Sequence, residues 1–596
     1  MTRLNVKTKN MKVEQEVKKA KFSLRKKTEV LPPKANGIHF SSDVTRIQIE
    51  DSYFHCIYEG RIYNLLLLKQ ALVTTELITE SATDCEVLSA LYHLHGAEFV
   101  QKINGMFAII IYDFQENVVV AARDKFGIKP LFYHHSHDEL QLASVLTDLM
   151  PPAQQRESEL NHDALSHYFT FQYAPEPATV FKNIHHLPAG HYLVYGPDSK
   201  VKIKPYGEFL KIEGSSVAKA SLSDVKDAII TSVYDHLEAD VAIGTFLSGG
   251  IDSTIIASIA KEINPDIKAF TVGYDFAPQC EINDAKTTAD VLGIDLYTRK
   301  ITAMDYWEAA RKTVVQLGSP LADPSAIMFS LLSEFASQEV EGCLSGEGAD
   351  ELFGGYPIYK EVDGLRIFTK VPDKLKARLL QVAAVVPPGV RGKNFIERGC
   401  VALHERYAGN AFIFTDSEKN EFLKFKGSPW QSVTEEINSL ITNLPDLEKM
   451  QTIDLHTWLK GDILLKADRL SMAHNLEVRT PFLDDRVLKV AQGLAKSEKI
   501  AGNTAKVILR QAFSDYLPPH MKMMTKRGFP VPLAHWLRNE LYPEVLTVLT
   551  SEVAADFIDQ EYSLKLLEEH RQGKDYSRKI WTIVCFILWL EMHLYG

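Results

Sequence analysis

The sequence predicts an α/β protein built from two dissimilar domains and a helical C-terminal part. Its 596 residues exceed the roughly 250–300 at which a single hydrophobic core stops growing. From about 36 to 209, short alternating apolar runs separated by turn residues predict a strand-rich domain. Beyond about 220, strand-like runs alternate with longer helical patterns, which predicts a parallel sheet flanked by helices. The last third is almost entirely helical in pattern.

Composition and apolar patterning also predict a tail, a linker and individual strands of the first domain. Residues 1–35 are rich in Lys and Arg and show little apolar periodicity, which predicts a solvated, unstructured tail; a targeting or docking arm is the alternative. The polar stretch 212–223 predicts a linker between a domain at 36–209 and a second domain at 220–596. Three runs in the first domain predict strands: 46–49, 107–112 and 118–122.

Composition excludes several classes of function. A net charge of −11 argues against general nucleic-acid binding, which requires a concentrated basic surface. The six cysteines (56, 85, 280, 343, 400 and 585) lack C-x-x-C pairs and metal-ligand spacing, and this predicts buried thiols in a reducing compartment. No secretory signal is visible, and the apolar run 580–590 is too short to span a bilayer, so it predicts a core helix. We therefore expect a cytoplasmic protein that binds neither nucleic acid nor membrane.

The turn Ser248-Gly249-Gly250-Ile251-Asp252-Ser253 follows the apolar run 241–247 and precedes a helical pattern over 254–261. A buried strand, a glycine turn and a helix N-terminus together make an anion site, because unpaired N–H groups and the helix dipole favour phosphate oxygens. The two serines add hydroxyl donors, and Asp252 is suited to hold Mg²⁺ against the phosphates. The spacing is not that of a Walker A loop; an ordinary strand-turn-helix is the alternative.

A second glycine-rich loop spans 344–356 and also follows a strand-like run. It carries the three carboxylates Glu347, Asp350 and Glu351, which repel one another unless cations or a proton balance them. Because ligands collect at the carboxyl ends of strands in an α/β sheet, we expect the two loops to face the same cleft.

Together the loops resemble the SGG-x-DS and SGEG-x-DE-x-FGGY motifs of the asparagine synthetases. Further segments are similar to elements of this family and extend the resemblance from about residue 54 to the end: 60–64, 105–108, 122–131, 320–327, 466–469, 472–484, 506–510 and 526–529. The resemblance implies a glutaminase-type (Ntn-type) αββα sandwich of two antiparallel sheets between helices at the N-terminus. The resemblance also implies an ATP-pyrophosphatase parallel-sheet domain C-terminal to this sandwich.

The resemblance implies a reaction that uses ATP and Mg²⁺, in which a carboxylate attacks the α-phosphorus to give an acyl-adenylate and pyrophosphate. Glu347 would orient or deprotonate the attacking amine, and Lys506 would offset charge on the transferring phosphate. Asp252 and Asp350 would bind Mg²⁺. The nucleotide would contact Phe246, Ser248, Gly249, Gly250, Asp252, Ser253, Val272, Ser345 and Gly346. For Lys466, Asp468 and Arg479 a structural ion network is the alternative to a catalytic role.

The N-terminal half departs from the family pattern. Glutamine-hydrolysing members begin with Cys after the initiator Met, whereas Thr2 stands here and the first cysteine is Cys56, inside an apparent strand. Glu59 replaces the asparagine whose amide donates to the oxyanion, and the RGPD segment is absent; Asp84 matches the residue that grips the substrate amine. We therefore expect glutaminase activity to be lost.

These observations predict an AMP-forming amide synthetase that joins a small-molecule or peptide carboxylate to ammonia or an amine. An intramolecular amide former, of the β-lactam synthetase or lasso-peptide cyclase type in specialised metabolism, is the first alternative. A non-catalytic paralogue is the second, although loss confined to the glutaminase half favours an active synthetase. The resemblance is compatible with a homodimer.

Overall fold

The structure is a computed structural model of the chain. It describes residues 5–9, 38–40, 46–136, 139–207, 219–239, 241–274, 281–386, 390, 392–523 and 531–596. Most of the predicted basic tail, Cys280 and the element at 526–529 lie outside these ranges. The chain divides into two compact units: unit 1 contains 1–161 and 176–209, and unit 2 contains 162–175 and 210–596. Residues 162–175, which the sequence placed in the first domain, therefore group with the second unit.

Unit 1 contains two antiparallel sheets. The five-stranded sheet has the order β2-β1-β8-β7-β9 and the six-stranded sheet the order β11-β10-β6-β5-β4-β3. The strands are Asn5–Lys9 (β1), Ile38–Phe40 (β2), Ile47–Ile49 (β3), Ser52–Ile62 (β4), Gly105–Asp113 (β5), Val118–Arg123 (β6), Phe132–Ser136 (β7), Glu139–Ala143 (β8), Ile184–His186 (β9), His191–Tyr195 (β10) and Val201–Pro205 (β11). The three predicted strands correspond to β3, β5 and β6. Residues 5–9 differ from the predicted tail, because β1 pairs with β2 and β8.

Side-chain alternation gives the six-stranded sheet two apolar faces. Ile109 and Ile111 of β5 pack toward helices Leu65–Thr74 (α1) and Asp84–His95 (α2), while Ile110 packs with Leu140 and Leu142 of β8 from the other sheet. Both faces are buried, which explains why β5 and β6 are apolar almost throughout. The stacked antiparallel sheets with a helical layer confirm the predicted sandwich.

Unit 2 is organised around a parallel sheet of order β14-β13-β12-β15-β16. Its strands are Ile243–Phe246 (β12), Lys268–Gly273 (β13), Asp295–Lys300 (β14), Gly342–Leu344 (β15) and Glu477–Arg479 (β16). In chain order, β12 comes first in this sheet, and β13 and β14 follow on one side of it. The chain then returns, so that β15 lies on the other side of β12. The carboxyl ends of β12 and β15 therefore flank the switch point, where open α/β sheets bind ligands.

The remaining elements of unit 2 are helical except for a short hairpin formed by Ile500–Ala501 (β17) and Thr504–Ala505 (β18). The helices are His162–Phe171 (α3), Leu222–Leu237 (α4), Ile251–Ile263 (α5), Ile282–Leu292 (α6), Ala303–Leu317 (α7), Pro324–Ala336 (α8), Ala349–Phe353 (α9), Glu361–Gly364 (α10), Asp373–Val385 (α11), Lys393–Cys400 (α12), Leu403–Arg406 (α13), Asp416–Phe422 (α14), Gln431–Leu440 (α15), Asp446–His456 (α16), Leu465–Met472 (α17), Asp485–Gln492 (α18), Lys496–Lys499 (α19), Val507–Ala512 (α20), Leu533–Arg538 (α21), Tyr542–Leu549 (α22), Glu552–Phe557 (α23), Gln560–Arg571 (α24) and Ser577–Trp589 (α25). This confirms the predicted helical C-terminal part.

Two boundaries differ from the sequence prediction. Residues 222 and 223, assigned to the linker, already belong to α4, because the Ser221 side chain accepts from the Asp224 N–H and caps the helix. The helix predicted over 254–261 begins earlier, at Ile251, with Gly250 as its N-cap. The predicted core helix at 580–590 is confirmed, since α25 is buried along most of its length. In the described part of the chain, none of the helices has the length and apolar character needed to cross a bilayer.

Candidate active site

The loop between β12 and α5 has a close backbone approach that only glycine permits. Gly249 has φ +76°, and a Cβ there would lie 2.9 Å from the Cβ of Asp284 at the start of α6. The hydroxyls of Ser248 and Ser253 lie 3.1 Å apart, and the Gly250 N–H donates to the Ser248 hydroxyl at 3.2 Å. The turn therefore presents two ordered hydroxyls beside the N-terminus of a 13-residue helix, which suits a phosphate chain.

The second loop follows β15 and lies directly against the first. The Ser345 N–H donates to the Arg479 carbonyl at 2.8 Å and continues the sheet pairing. A Cβ added to Gly346 would lie 3.0 Å from the Cβ of Asp252. The structure thus brings together the two glycine-rich loops, as expected for the carboxyl ends of neighbouring parallel strands.

A buried lysine joins the two loops. Lys506 Nζ lies 2.5 Å from Asp252 Oδ2 and 2.5 Å from Asp350 Oδ1, and the lysine side chain is only 3% exposed. Lys506 itself has φ +55° at the N-terminus of α20. Gly355 makes room for this contact, because a Cβ at that position would lie 1.7 Å from Asp350 Oδ1. The cluster of Asp252, Asp350 and Lys506 carries a net charge of −1 when all three are ionised.

The donor set of this cluster fits a hard divalent cation. Carboxylate oxygens are the ligands that Mg²⁺ takes, and it usually completes its shell with waters and substrate phosphates. Asp252 Oδ1 is buried and has no hydrogen-bond partner among the described residues, so one oxygen remains to coordinate a cation. The described residues contain no group of three or more His, Cys, Asp or Glu that could hold a metal by themselves. A cation here would therefore depend on phosphate oxygens as well.

Two of the residues expected to contact the nucleotide, Phe246 and Val272, are less open than the glycine-rich loops. Phe246 ends β12 with 7% exposure, and its ring meets that of Phe329 edge to face at 5.6 Å. Val272 has no exposed surface and lies within β13. Its side chain therefore belongs to the core, and any nucleotide contact would need the backbone of this strand end.

Glu347 lies half-buried between Gly346 and Gly348, and its charge acts on Lys466. Lys466 Nζ lies 2.5 Å from Asp323 Oδ2 and 3.2 Å from Asp462 Oδ1. Burial lowers the pKa of Lys466, but the charges of Asp323, Asp462 and Glu347 outweigh it and raise the pKa above its usual value. Lys466 is therefore a fixed positive charge beside the acidic loop.

The network around Lys466 includes residues that sequence reasoning did not single out. The Gln172 amide donates to Asp462 Oδ2 at 2.5 Å, and Arg578 donates to Gln172. Burial and the charge of Asp323 raise the pKa of Asp462 to about 7. The one sequence signal was the spacing of Asp462 four residues before Lys466, which places both on one helix face.

Arg479 connects β16 with the end of α4. It is 2% exposed, pairs with Glu477 at 2.7 Å, and donates to the carbonyls of His236 and Glu238 at the end of α4. Asp468 is buried in α17. These contacts support the alternative of an ion network for Arg479, and the charge of Glu347 acts on Lys466.

Comparison with known proteins decides the family. A family model described as asparagine synthase matches residues 224–591. The chain is 40% identical over 551 residues to the glutamine-hydrolyzing asparagine synthetase 1 of Bacillus subtilis (strain 168), covering 92% of this chain and 87% of the relative. It is 36% identical over 545 residues to a putative glutamine-hydrolyzing asparagine synthetase of Mycobacterium tuberculosis (strain ATCC 25618 / H37Rv), covering 89% and 83%. The chain belongs to the asparagine synthetase family.

As a member of this family the chain is a carbon–nitrogen ligase that uses ATP to make amides. A model of the glutamine amidotransferase domain matches residues 46–207. A more distant relative, amidase chyE of Penicillium rubens, is 23% identical over 597 residues, covering 90% of this chain and 86% of the relative. Both halves of the family architecture are therefore present.

In the amidotransferase domain of this asparagine synthetase family member, the predicted glutamine-site residues lie on β4 and α2. Glu59 pairs with Ala108 across β4 and β5. Asp84 is exposed in the first turn of α2, next to the capping box of Thr83 and Glu86. Cys56 is buried in the middle of β4 and pairs with Ile111. The expectation of buried thiols holds for Cys56, Cys343 and Cys585, whereas Cys85 and Cys400 are half-buried.

One carboxylate of the acidic loop makes stability depend on pH. Burial and the charge of Asp350 raise the pKa of Glu351 from 4.5 to about 8, although the Tyr356 hydroxyl donates to it at 2.7 Å. Glu351 is therefore protonated in the folded protein but ionised in the unfolded chain between these values. The contribution of protonated Glu351 to the free energy of unfolding is fully present below pH 4.5. This contribution is lost as the pH rises to about 8.

We expect Glu351→Gln, which keeps an acceptor for Tyr356, to remove this dependence. The stability of the wild type relative to the variant should fall between pH 5 and 8 by up to about 1.4 kcal/mol per pH unit. Urea unfolding of both proteins at several pH values measures it, with the exposed Glu436→Gln as control. Parallel pH profiles for wild type and Glu351→Gln would contradict the assignment.

Proposed function

We propose that this protein activates a carboxylate as an acyl-adenylate and joins it to ammonia or an amine, without hydrolysing glutamine. The observation that carries the proposal is the contact of Lys506 with both Asp252 and Asp350, where the two glycine-rich loops meet. A cation between two carboxylates, beside an anion-binding turn, suits the cleavage of ATP to AMP and pyrophosphate.

In the first step a carboxylate oxygen of the substrate attacks the α-phosphorus of ATP, and pyrophosphate leaves. The Ser248 and Ser253 hydroxyls and the N–H groups at the start of α5 hold the leaving pyrophosphate. Lys506 donates to phosphate oxygens as negative charge accumulates on them. Mg²⁺ held by Asp252 and Asp350 would neutralise further charge on the phosphates when bound.

In the second step the amine nitrogen attacks the acyl carbon and AMP leaves. The nitrogen must lose a proton, and we assign Glu347 as the carboxylate that accepts it. The charge of Glu347 helps to raise the pKa of Lys466, so a fixed cation acts beside this carboxylate. The acidic loop thus supplies a metal ligand in Asp350 and a base in Glu347.

Residues of unit 1 support the loss of glutamine hydrolysis. The nucleophile of glutamine-hydrolysing family members combines a thiol and a terminal amine on one residue, but Cys56 lies mid-strand with its backbone paired to β5. Burial and a hydrogen bond with Cys85 also raise the pKa of the Cys56 thiol, which keeps it protonated. A carboxylate at Glu59 would repel an oxyanion that the family's asparagine amide stabilises.

We expect no glutamate from glutamine at any pH, while ammonia supports amide formation. Loss of one oxyanion donor alone costs about 10²–10³ in rate, and the nucleophile is missing as well. Glutamate release measured with and without ATP tests this. Hydrolysis of glutamine that survives purification and is abolished by Cys56→Ala would overturn it.

Pyrophosphate release from ATP tests the proposed function as a whole. Aspartate is the first acid to try, followed by peptide and amino-acid carboxylates, each with and without ammonia. Release that requires both an acid and ammonia supports the intermolecular reaction. Release with one substrate alone, accompanied by loss of water from it, would indicate the intramolecular alternative. No release with any acid, in a protein that binds ATP, would favour the non-catalytic paralogue.

A further inference from the structure

Cys56 and Cys85 of unit 1 are neighbours in the fold. Cys56 is on β4 and Cys85 is the second residue of α2. Cys85 Sγ lies 3.6 Å from the Cys56 carbonyl oxygen. Cys85 also packs against the core cluster that contains Cys56.

The two thiols differ in access. Cys56 is 8% exposed and enclosed in the core, whereas Cys85 is half-buried at the edge of that core. Cys85 lies in the N-terminal turn of α2, a 12-residue helix. This position favours a negative charge on its sulfur. An accessible sulfur beside a shielded one is the arrangement in which the first reacts with a reagent and the second resolves the product.

The charges around the pair act in two directions. The hydrogen bond from the Cys56 thiol lowers the pKa of Cys85, while burial and the carboxylates of Asp84 and Glu86 oppose this. The same hydrogen bond, burial and Asp84 raise the pKa of Cys56. Cys56 therefore keeps its proton, whereas Cys85, whose thiol donates to the Cys56 carbonyl oxygen, loses its proton more readily and is the more nucleophilic of the two.

We propose that Cys56 and Cys85 form a reversible dithiol–disulfide site that reacts with low-molecular-weight disulfides such as oxidised glutathione. The Cys85 thiolate attacks one glutathione sulfur, the S–S bond breaks, and one glutathione thiolate leaves. The Cys56 sulfur then attacks Cys85, releasing the second glutathione, which takes up the Cys56 proton. Two protein thiols are oxidised and one glutathione disulfide is reduced to two thiols.

A disulfide between Cys56 and Cys85 would link two elements of unit 1. The bond would join β4 to the start of α2, the elements that carry Glu59 and Asp84. These are the positions at which the family resemblance locates the glutamine site. The two cysteines thus bring thiol chemistry to the region where amidotransferase chemistry is proposed to be lost, and their reaction does not depend on that loss.

Tryptic digestion separates the two residues, since Arg61 and Lys69 lie between them. Cys56 falls in peptide 47–61, Cys85 in 70–102 and the control Cys400 in 399–406. Cys400 is also half-buried, but burial raises its pKa. In the full-length reduced protein, iodoacetamide should label Cys85 about tenfold faster or more than Cys400, because only the thiolate reacts.

Treatment with oxidised glutathione should then link peptides 47–61 and 70–102 by a disulfide that dithiothreitol reverses. In Cys56→Ala, glutathione should remain attached to Cys85; in Cys85→Ala, Cys56 should stay unmodified. Stable glutathione on Cys85 in the wild type would overturn the proposal, as would equal labelling of Cys85 and Cys400. Both readouts are made on the natural protein, so they stand even where a variant fails to fold.

Discussion

Asp252→Asn should reduce adenylation by about 10²–10³, the scale of removing one preorganised electrostatic contact to a reacting phosphate. The amide keeps the shape of the side chain but removes a charge next to Lys506 and weakens any bound Mg²⁺. Asp350→Asn should act in the same direction, since Lys506 contacts both carboxylates at 2.5 Å. Exchange of labelled pyrophosphate into ATP measures the step directly.

Folding must be separated from chemistry in this experiment. Each variant leaves Lys506 one carboxylate partner, so we expect thermal unfolding close to that of the wild type. Asp266→Asn, an exposed change between α5 and β13, is the matched control and should leave exchange unchanged. If the Asp252→Asn variant binds Mg²⁺ more weakly, raising the Mg²⁺ concentration should partly restore its pyrophosphate exchange. Normal pyrophosphate exchange in either variant would show that the metal lies elsewhere.

Glu347→Gln should separate the two chemical steps. The carboxylate is not needed to bind ATP, so nucleotide affinity should stay within a few-fold of the wild type. Amide formation should fall by the roughly 10²–10⁴ typical of a general base. Trapping of the adenylate by hydroxylamine, a nucleophile that needs little base assistance, should fall much less. Glu341→Gln, an exposed change just before β15, is the control.

Two other outcomes would change the role of Glu347. Equal losses in amide formation and in hydroxylamine trapping would place it in adenylation, as a charge that organises Lys466 and the phosphates. Unchanged amide formation would leave it an ordinary acidic residue of the loop. Either result would leave the family membership intact, because that rests on the similarity of the whole chain.

Local patterns predicted the elements that carry the site. The run before Ser248 and the glycines after it specify a strand, a turn and a helix N-terminus within a few residues, and β12 and α5 form there. The strands of unit 1 were predicted from short apolar runs between turn residues, and burial on both faces of the six-stranded sheet explains why β5 is apolar almost throughout. Helix starts were less accurate, because capping by Ser221 and Gly250 depends on side-chain and backbone geometry at single residues.

The assignments at Val272 and Arg479 show where a motif is not enough. A motif gives residue identity but no exposure, and Val272 proves to have no exposed surface. Arg479 lies inside a block similar to the family pattern, yet it binds carbonyls at the end of α4. The roles of the predicted site residues stay predictions until the variants are measured.

By itself the sequence determined the class of the fold, the two glycine-rich loops and the family, since each is encoded in residues close together in the chain. Tertiary structure decided which charges meet. Lys506 reaches Asp252 across 254 positions of sequence, and Gln172 reaches Asp462 across 290. Such contacts follow from the order of strands in the sheet and the packing of helices behind it. Local periodicity does not specify that order. The spacing of apolar residues shows which face of a helix or strand is buried, but not which residues pack against that face.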